Sequence, residues 1–175
     1  MNNIQIKQVD INDVEQLQAI SKLTFSEAFS SLNTQENMAK YLEESFSIEK
    51  LTAELSDQAS SFYFATVGGW VIAYLKLNVG ASQTEIKDEK ALEIERIYVL
   101  KDYHGQNVGQ LLYDKAIQVA SQMKAAYVWL GVWEENLRAI NFYKKNGFVA
   151  FDKHIFNLGD DAQTDIMMKK LLGNA

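Results

Sequence analysis

Cysteine is absent, which excludes a disulfide framework, thiolate metal ligands, a cysteine nucleophile and thiol redox chemistry. Histidine occurs only as His104 and His154, too few for a histidine-built metal site, and no metal is implied. Clustered positive charge is missing as well. The 17 Lys and Arg against 23 Asp and Glu leave −6, which argues against nucleic acid, because phosphate binding needs grouped cations. The longest apolar runs, Phe62–Val67 and Val128–Trp133, fall far short of a membrane span. Met1-Asn2-Asn3-Ile4-Gln5-Ile6 has neither the basic nor the apolar region of a signal peptide, so a cytoplasmic protein without a membrane partner is expected. With no proline, internal repeat or low-complexity stretch, nothing marks a boundary, and residues 1–175 read as a single domain.

What is present is ordinary for a globular chain: 47% hydrophobic and 23% charged residues exclude disorder and coiled coil. A chain of this size buries roughly two thirds of its unfolded surface. The charge is uneven, with −8 over residues 1–95, +3 over 96–153 and −1 over 154–175. An acidic half beside a mildly basic one suits a cationic substrate meeting an anionic cofactor; acidic helix surfaces alone would give the same balance.

Hydrophobic periodicity divides the chain into elements. Ile4–Val9 alternates as a strand. Asp13–Phe29 carries Val14, Leu17, Ile20 and Phe25 at helical spacing, with Asn12 or Asp13 as its cap, and helices follow at Thr34–Phe46 and from Ser47. Phe62–Val67 and Trp70–Val79 are strands joined by Gly68-Gly69, a hairpin signal. Gly80–Lys90 reads as a polar loop and Leu92–Leu100 as a strand. Val108–Met123 is the clearest helix, with Val108, Leu111, Leu112, Ala116, Val119, Ala120 and Met123 on one face. Strand Tyr127–Val132, helix Asn136–Lys145, strand Phe148–Asp152 and a last strand near Thr164–Lys170 complete the order. Asp160, Asp161 and Asp165 fall in what reads as a solvated polar turn, which a nearby cleft could use to attract a polycation. The order implies an α/β fold, with a mixed sheet and helices on both faces.

Two segments bear the chemistry. Glu95-Arg96-Ile97-Tyr98-Val99-Leu100 runs through Lys101-Asp102-Tyr103-His104-Gly105-Gln106-Asn107 into the helix Val108-Gly109-Gln110. A strand, a glycine-containing loop and a helix N-terminus together offer free N–H groups and a positive dipole end to phosphate oxygens. A plain turn would have the same appearance. Asn136-Leu137-Arg138-Ala139-Ile140-Asn141-Phe142-Tyr143-Lys144-Lys145-Asn146-Gly147-Phe148 is a helix closed by glycine and followed by an aromatic strand.

Together these two segments resemble the GNAT acetyltransferase superfamily. The first resembles its acetyl-CoA motif Gln/Arg-x-x-Gly-x-Gly/Ala, with His104 where Gln or Arg is usual and Asn107 where the first glycine is usual; Asn enters the left-handed region readily. The second resembles Asn-x-x-Ala-x-x-Phe-Tyr-x-x-x-Gly-Phe. Leu92–Tyr98, Trp129–Glu134 and Leu158–Asp165 resemble the PaiA-like spermidine/spermine acetyltransferases more closely. The resemblance implies a GNAT fold, a mostly antiparallel sheet of about seven strands, and acetyl-CoA as the donor. It implies that Ile97, Tyr98 and Val99 offer backbone groups to the pantetheine arm. His104, Gly105, Gln106, Asn107, Val108, Gly109 and Gln110 would surround the pyrophosphate, and Asn136 would hydrogen-bond the cofactor. Tyr143 would protonate the leaving thiolate. Lys145 would approach the ribose phosphate, or only favour its own helix dipole.

An alkylammonium, with a pKa near about 10.4, must lose a proton before it attacks. Without cysteine, direct attack in a ternary complex is the expected route. Glu93 and Glu95, two apart on a strand, are the base candidates, or else form an exposed strand face with Glu95 paired to a basic neighbour. Trp133 and Tyr98 could line the acceptor cleft, walled by Phe25, Phe29, Tyr41 and Phe46. Trp129 reads as core and His154 as structural. The expectation is an N-acetyltransferase for a small polycation, as monomer or homodimer; the alternatives are a protein or peptide N-acetyltransferase and a non-catalytic acyl-CoA-binding regulator.

Overall fold

The computed structural model describes residues 3–173; Met1 and Asn2, part of the segment read above for a leader, lie outside the described residues. The chain runs β1 (Ile4–Gln8), α1 (Val14–Phe29), α2 (Gln35–Phe46), α3 (Ile48–Ser56), β2 (Ser60–Val67), β3 (Trp70–Val79), β4 (Ala91–Val99), α4 (Val108–Gln122), β5 (Tyr127–Trp133), α5 (Leu137–Lys145), β6 (Val149–Leu158) and β7 (Asp161–Leu171). All seven strands form one sheet in the order β1-β2-β3-β4-β5-β7-β6. Every pairing is antiparallel except β4 with β5. The expected mixed, mostly antiparallel architecture is the one observed.

Local chemistry sets the element ends. The hydroxyls of Thr34 and Ser47 accept the N–H groups of Asn37 and Lys50, which caps α2 and α3 as their sequences imply. Gly68 and Gly69 take φ of 56° and 84° in the β2–β3 turn. The start of α1 differs in part from expectation. Asp13 occupies the N-cap position of α1, as expected, but its side chain makes no cap bond to the helix. A 3₁₀ turn at Ile11–Asp13 precedes the helix, and the capping side chain is that of Asp10, three residues upstream. Asp10 accepts from the Asn12 N–H, and the Asp13 carboxylate accepts from the Asp10 N–H while pairing with Lys7. The second correction is at the C-terminal end. β6 and β7 form a hairpin that turns at Gly159-Asp160, so Asp160 lies in the turn as expected but Asp161 is a strand residue. Asp165, inside the last strand as its expected start near Thr164 implies, is half-buried rather than solvated. Polar residues alternating on paired strands there read as a turn in sequence.

The sheet separates two cores. On one face Leu75, Leu77, Ile94, Val128 and Leu130 pack on Val108, Leu112, Ala116 and Ala120 of α4 and on Ile140 and Tyr143 of α5. Tyr113 joins this core, whereas Leu111, Val119 and Met123 are only half-buried. On the other face Phe62, Phe64 and Tyr74 pack on Leu17, Ile20 and Phe25 of α1 and Leu51 of α3.

Two irregularities in the sheet build the site. The β3–β4 ladder pairs Lys76 with Arg96 but Leu77 with Ile94, leaving Glu95 as an extra residue, a β-bulge. Strict alternation would put Arg96 on the opposite face from Glu95. The bulge instead sends Glu95, Arg96 and Tyr98 to the α1–α3 face, while Ile94, Ile97 and Val99 face α4. The second irregularity is that β4 and β5 pair only through Ala91–Tyr127, Leu92–Val128 and Glu93–Trp129. Beyond that point the two strands separate, and their facing backbone edges are unpaired with each other.

Candidate active site at the strand opening

A continuous cleft of about 980 Å³ passes through this opening, from the N-terminus of α4 on one face to the aromatic wall of α1 and α2 on the other. Ile97, Tyr98 and Val99 line it from β4, and Gly131, Val132 and Trp133 from β5. The unpaired strand edges can bond an extended amide-containing chain laid between them.

At the α4 end the loop residues His104, Gly105, Asn107, Val108, Gly109 and Gln110 line the cleft together. Asn107 holds φ of 67° and Gly105 of 76°, so Asn adopts the left-handed conformation that glycine usually supplies. Asn107 makes no side-chain cap to α4. Among the described residues no acceptor takes the backbone N–H groups of Gly105, Asn107, Val108, Gly109 and Gln110. These donors converge at the positive end of a 15-residue helix, which suits an anion. A Cβ on Gly109 would meet nothing within 4 Å, so packing within the chain does not require glycine there. The residues present therefore fit a pyrophosphate-bearing ligand.

His104 departs from the usual Gln or Arg, and the structure supplies a compensating charge. Its Nε2 lies 2.8 Å from the Val99 carbonyl and its Nδ1 lies 2.7 Å from Nη1 of Arg138. The ring donates to the carbonyl through Nε2 and accepts from the guanidinium through Nδ1, which fixes a neutral tautomer. Arg138, on α5, thus brings a permanent cation to the loop. Sequence reading passed over Arg138 because it lies 34 positions from its partner.

Asn136 caps α5 by accepting the Ala139 N–H through Oδ1, which leaves its amide NH₂ as a donor toward the cleft it lines. Tyr143 is buried beneath the opening, between Phe142 and Phe148, and its hydroxyl makes no hydrogen bond among the described residues. Burial pushes the Tyr143 phenol far above its ordinary range, so it keeps its proton. Lys145, exposed at the end of α5, lines the same side. Gln106 instead turns back, donating to the Asp102 carbonyl.

Through the opening, the floor is acidic. Asn78 donates to both Glu93 and Glu95, at 3.0 and 2.6 Å, so the two carboxylates share a face as their spacing implies. Their surroundings differ. Glu95 belongs to a compact network in which Lys76 and Arg96 each contact both Glu54 and Glu95, two cations for two carboxylates. Burial pushes the Glu95 carboxyl up, but Arg96 and then Lys76 outweigh it and hold it below the ordinary glutamate value. Among the described residues Glu93 forms no ion pair with a cation. It accepts from Thr84 N–H, Thr84 hydroxyl and Asn78, and burial raises it nonetheless. The 80–90 loop is thereby anchored rather than merely polar, with buried Gln83 accepting the Trp129 indole N–H at 2.7 Å. Trp129 is fully buried, as its sequence context suggests.

Phe29 lies in a tilted contact beside Trp133 and Tyr41 meets Phe156 edge to face, while Phe25 and Phe46 are buried behind them. These rings and Tyr98 wall the acidic end of the cleft. His154 and Asp165 complete this wall from β6 and β7, with Nε2 and Oδ2 separated by 3.6 Å.

Comparison with known proteins places this geometry. The model of the acetyltransferase (GNAT) family matches residues 18–148. An uncharacterized N-acetyltransferase in the pepI 3′ region of Lactobacillus delbrueckii subsp. lactis is 42% identical over 98% of this chain and 99% of its own. A spermidine N(1)-acetyltransferase of Thermoplasma acidophilum is 25% identical over 86% of this chain and 91% of its own. Among solved structures, the PaiA N-acetyltransferase from Thermoplasma acidophilum in complex with coenzyme A superposes with a TM-score of 0.80 at 23% identity, covering 97% of this chain and 99% of that one.

Proposed function

The chain belongs to the GNAT acetyltransferase family, and on that premise we propose that it moves an acetyl group from acetyl-CoA to a primary amine of a small polycation of the spermidine or spermine type. The observation that carries the acceptor class is the acidic, aromatic end of the cleft. Glu93, Glu95 and Asp165 lie among Tyr41, Tyr98, Trp133 and Phe156, and carboxylates and aromatic faces both favour alkylammonium groups. The name of the Thermoplasma relative agrees with this class.

The donor supplies a thioester carbonyl. Its diphosphate is held by the free N–H groups from Gly105 to Gln110, with Arg138 beside His104 adding charge, and its extended arm bonds the exposed edge of β4 at Ile97 to Val99. Asn136 bonds the same ligand and Lys145 faces its phosphate end. Glu93 and Asp165 provide the negative field that draws the ammonium to the opening, while Glu95, pinned by two cations, holds its charge throughout and contributes little net field. Tyr143, with its proton retained by burial, donates to the departing thiolate from the other side of the sheet.

The test is CoA release from acetyl-CoA against spermidine, spermine, monoamines and basic peptides, with Tyr143→Phe in parallel. Turnover with polyamines, reduced about 100-fold in the variant at unchanged acetyl-CoA affinity, is the expected result. Turnover with peptides alone would transfer the assignment to a protein acetyltransferase. Acetyl-CoA binding without any acetylated product would make the chain a regulator.

A further inference from the structure

We infer that His154 and Asp165 form the station that seats the acceptor ammonium and removes its proton, an assignment that rests on the acetyl-transfer reading above. The sheet register places them. Asp165 on β7 stands directly opposite His154 on β6 and opposite Trp133 on β5, so the three side chains make one row across the acceptor face. Nε2 of His154 and Oδ2 of Asp165 are 3.6 Å apart, too far for a direct hydrogen bond. One nitrogen carrying several N–H donors can bridge both atoms.

Gly131 supports the assignment independently. It lies two residues beyond Trp129, the last β5 residue paired with β4, and so stands on the arm of the strand opening. A Cβ there would come within 3.0 Å of His154 Cε1 and 3.4 Å of Asp165 Oδ2. Gly131 is not among the glycines with positive φ, so the backbone does not require glycine, and the missing side chain makes room for the pair. The pair is also free of structural duties. Glu95 is neutralised by Lys76 and Arg96, and Glu93 is tied to Thr84 and Asn78. Among the described residues His154 Nδ1 is buried without a hydrogen-bond partner, and Nε2 faces Asp165 Oδ2 at 3.6 Å without a hydrogen bond. Burial pushes the Asp165 carboxyl up against the pull of His154, so this carboxylate gains from a further cation beside it.

The other titratable groups lining this region are Tyr41 from α2, Glu27 from α1, Glu85 from the 80–90 loop, and Glu93, Glu95, Arg96 and Tyr98 from β4. On β6 itself Asp152 is exposed, and Lys153, on the opposite face, reaches toward Glu134.

The reaction balances with this station. One ammonium N–H bond breaks and its proton passes to His154 Nε2, where Asp165 stabilises the imidazolium. The freed lone pair forms the N–C bond to the thioester carbonyl as the C–S bond breaks. Of the three ammonium protons, one remains on the amide, one leaves through His154 to solvent, and one replaces the proton that Tyr143 gives to the thiolate.

Proton NMR of the two histidine rings, assigned with His154→Gln, tests the station without turnover. In the presence of CoA, added spermidine is expected to shift the His154 titration downward in pH and leave His104 unchanged; an unmoved His154 overturns the proposal. Kinetics supply the second readout, with any amine that turns over. His154→Gln and the near-isosteric Asp165→Asn are expected to lower kcat about 100-fold with the KM for acetyl-CoA unchanged, and His154→Gln to remove one ionisation from the kcat/KM profile. A wild-type profile in His154→Gln, or loss of that ionisation in Glu93→Gln instead, overturns it in favour of Glu93. Failure of every amine to react, with the NMR shift intact, would count against the acceptor class and not against the station.

Discussion

At the scale of single residues, electrostatic partners decide what each charge can do. Arg138 is exposed yet bonded to His104, and it brings a permanent cation to the loop that precedes α4. Arg138→Ala should weaken acetyl-CoA binding about tenfold, the loss of one charge-assisted contact of roughly 1.5 kcal/mol, and should flatten its salt dependence; calorimetric titration at two ionic strengths reads both. Glu95 is the opposite case, a carboxylate whose partners are structural. Its carboxyl lies below the ordinary glutamate value in the folded protein. Its stabilising contribution is therefore complete above that range and fades as pH falls through it. Glu95→Gln leaves Lys76 and Arg96 with Glu54 alone and should destabilise by about 3–5 kcal/mol at neutral pH. The gap to the parent should narrow below about pH 4, as denaturant unfolding across pH would show. The shared face of Glu93 and Glu95 was legible from their spacing. The cations that neutralise one of them were not, because Lys76 comes from the neighbouring strand and Glu54 from a helix 42 residues before Arg96.

At the scale of elements, caps and turns followed local chemistry, and irregularities within strands did not. Thr34, Ser47 and Gly68-Gly69 act where their residue types suggest. The bulge at Glu95 is set by the pairing of β3 with β4, and it alone brings Arg96 and Tyr98 to the acceptor face. The 80–90 loop is a similar case, since its polar composition conceals a buried anchor. Gln83→Ala should leave the Trp129 indole N–H unpaired at a cost of about 1–3 kcal/mol. Because Thr84 beside it holds Glu93, the same variant should raise the amine KM several-fold while the acetyl-CoA KM stays constant. Thermal melting and initial rates measure the two effects, and a stability loss with unaltered amine KM would separate the loop from the site.

At the scale of the molecule, an acidic first half and a mildly basic second half meet at the opening between β4 and β5. A polycationic acceptor entering by the acidic side is attracted over distances comparable with a Debye length of about 10 Å at 0.1 M salt. Raising ionic strength from about 0.02 to 0.5 M should therefore raise KM for spermine more than for a monoamine of equal length. Equal increases would locate recognition in contact geometry instead.

The order of elements, the amphipathic α4, the glycine-bearing loop and the Asn136–Phe148 segment were determined by the sequence, because each depends on propensity, periodicity or spacing within about 20 residues. Membership in the GNAT family was legible in the same local motifs. The tertiary structure decided what depends on partners far apart in the chain. It moved Asp165 from an apparent turn to the cleft wall, turned His154 toward it, joined Arg138 to His104 and spent Glu95 on two buried cations. The physical reason is one of range. A backbone conformation is chosen by neighbours along the chain, whereas the charge state and availability of a side chain are chosen by neighbours in space.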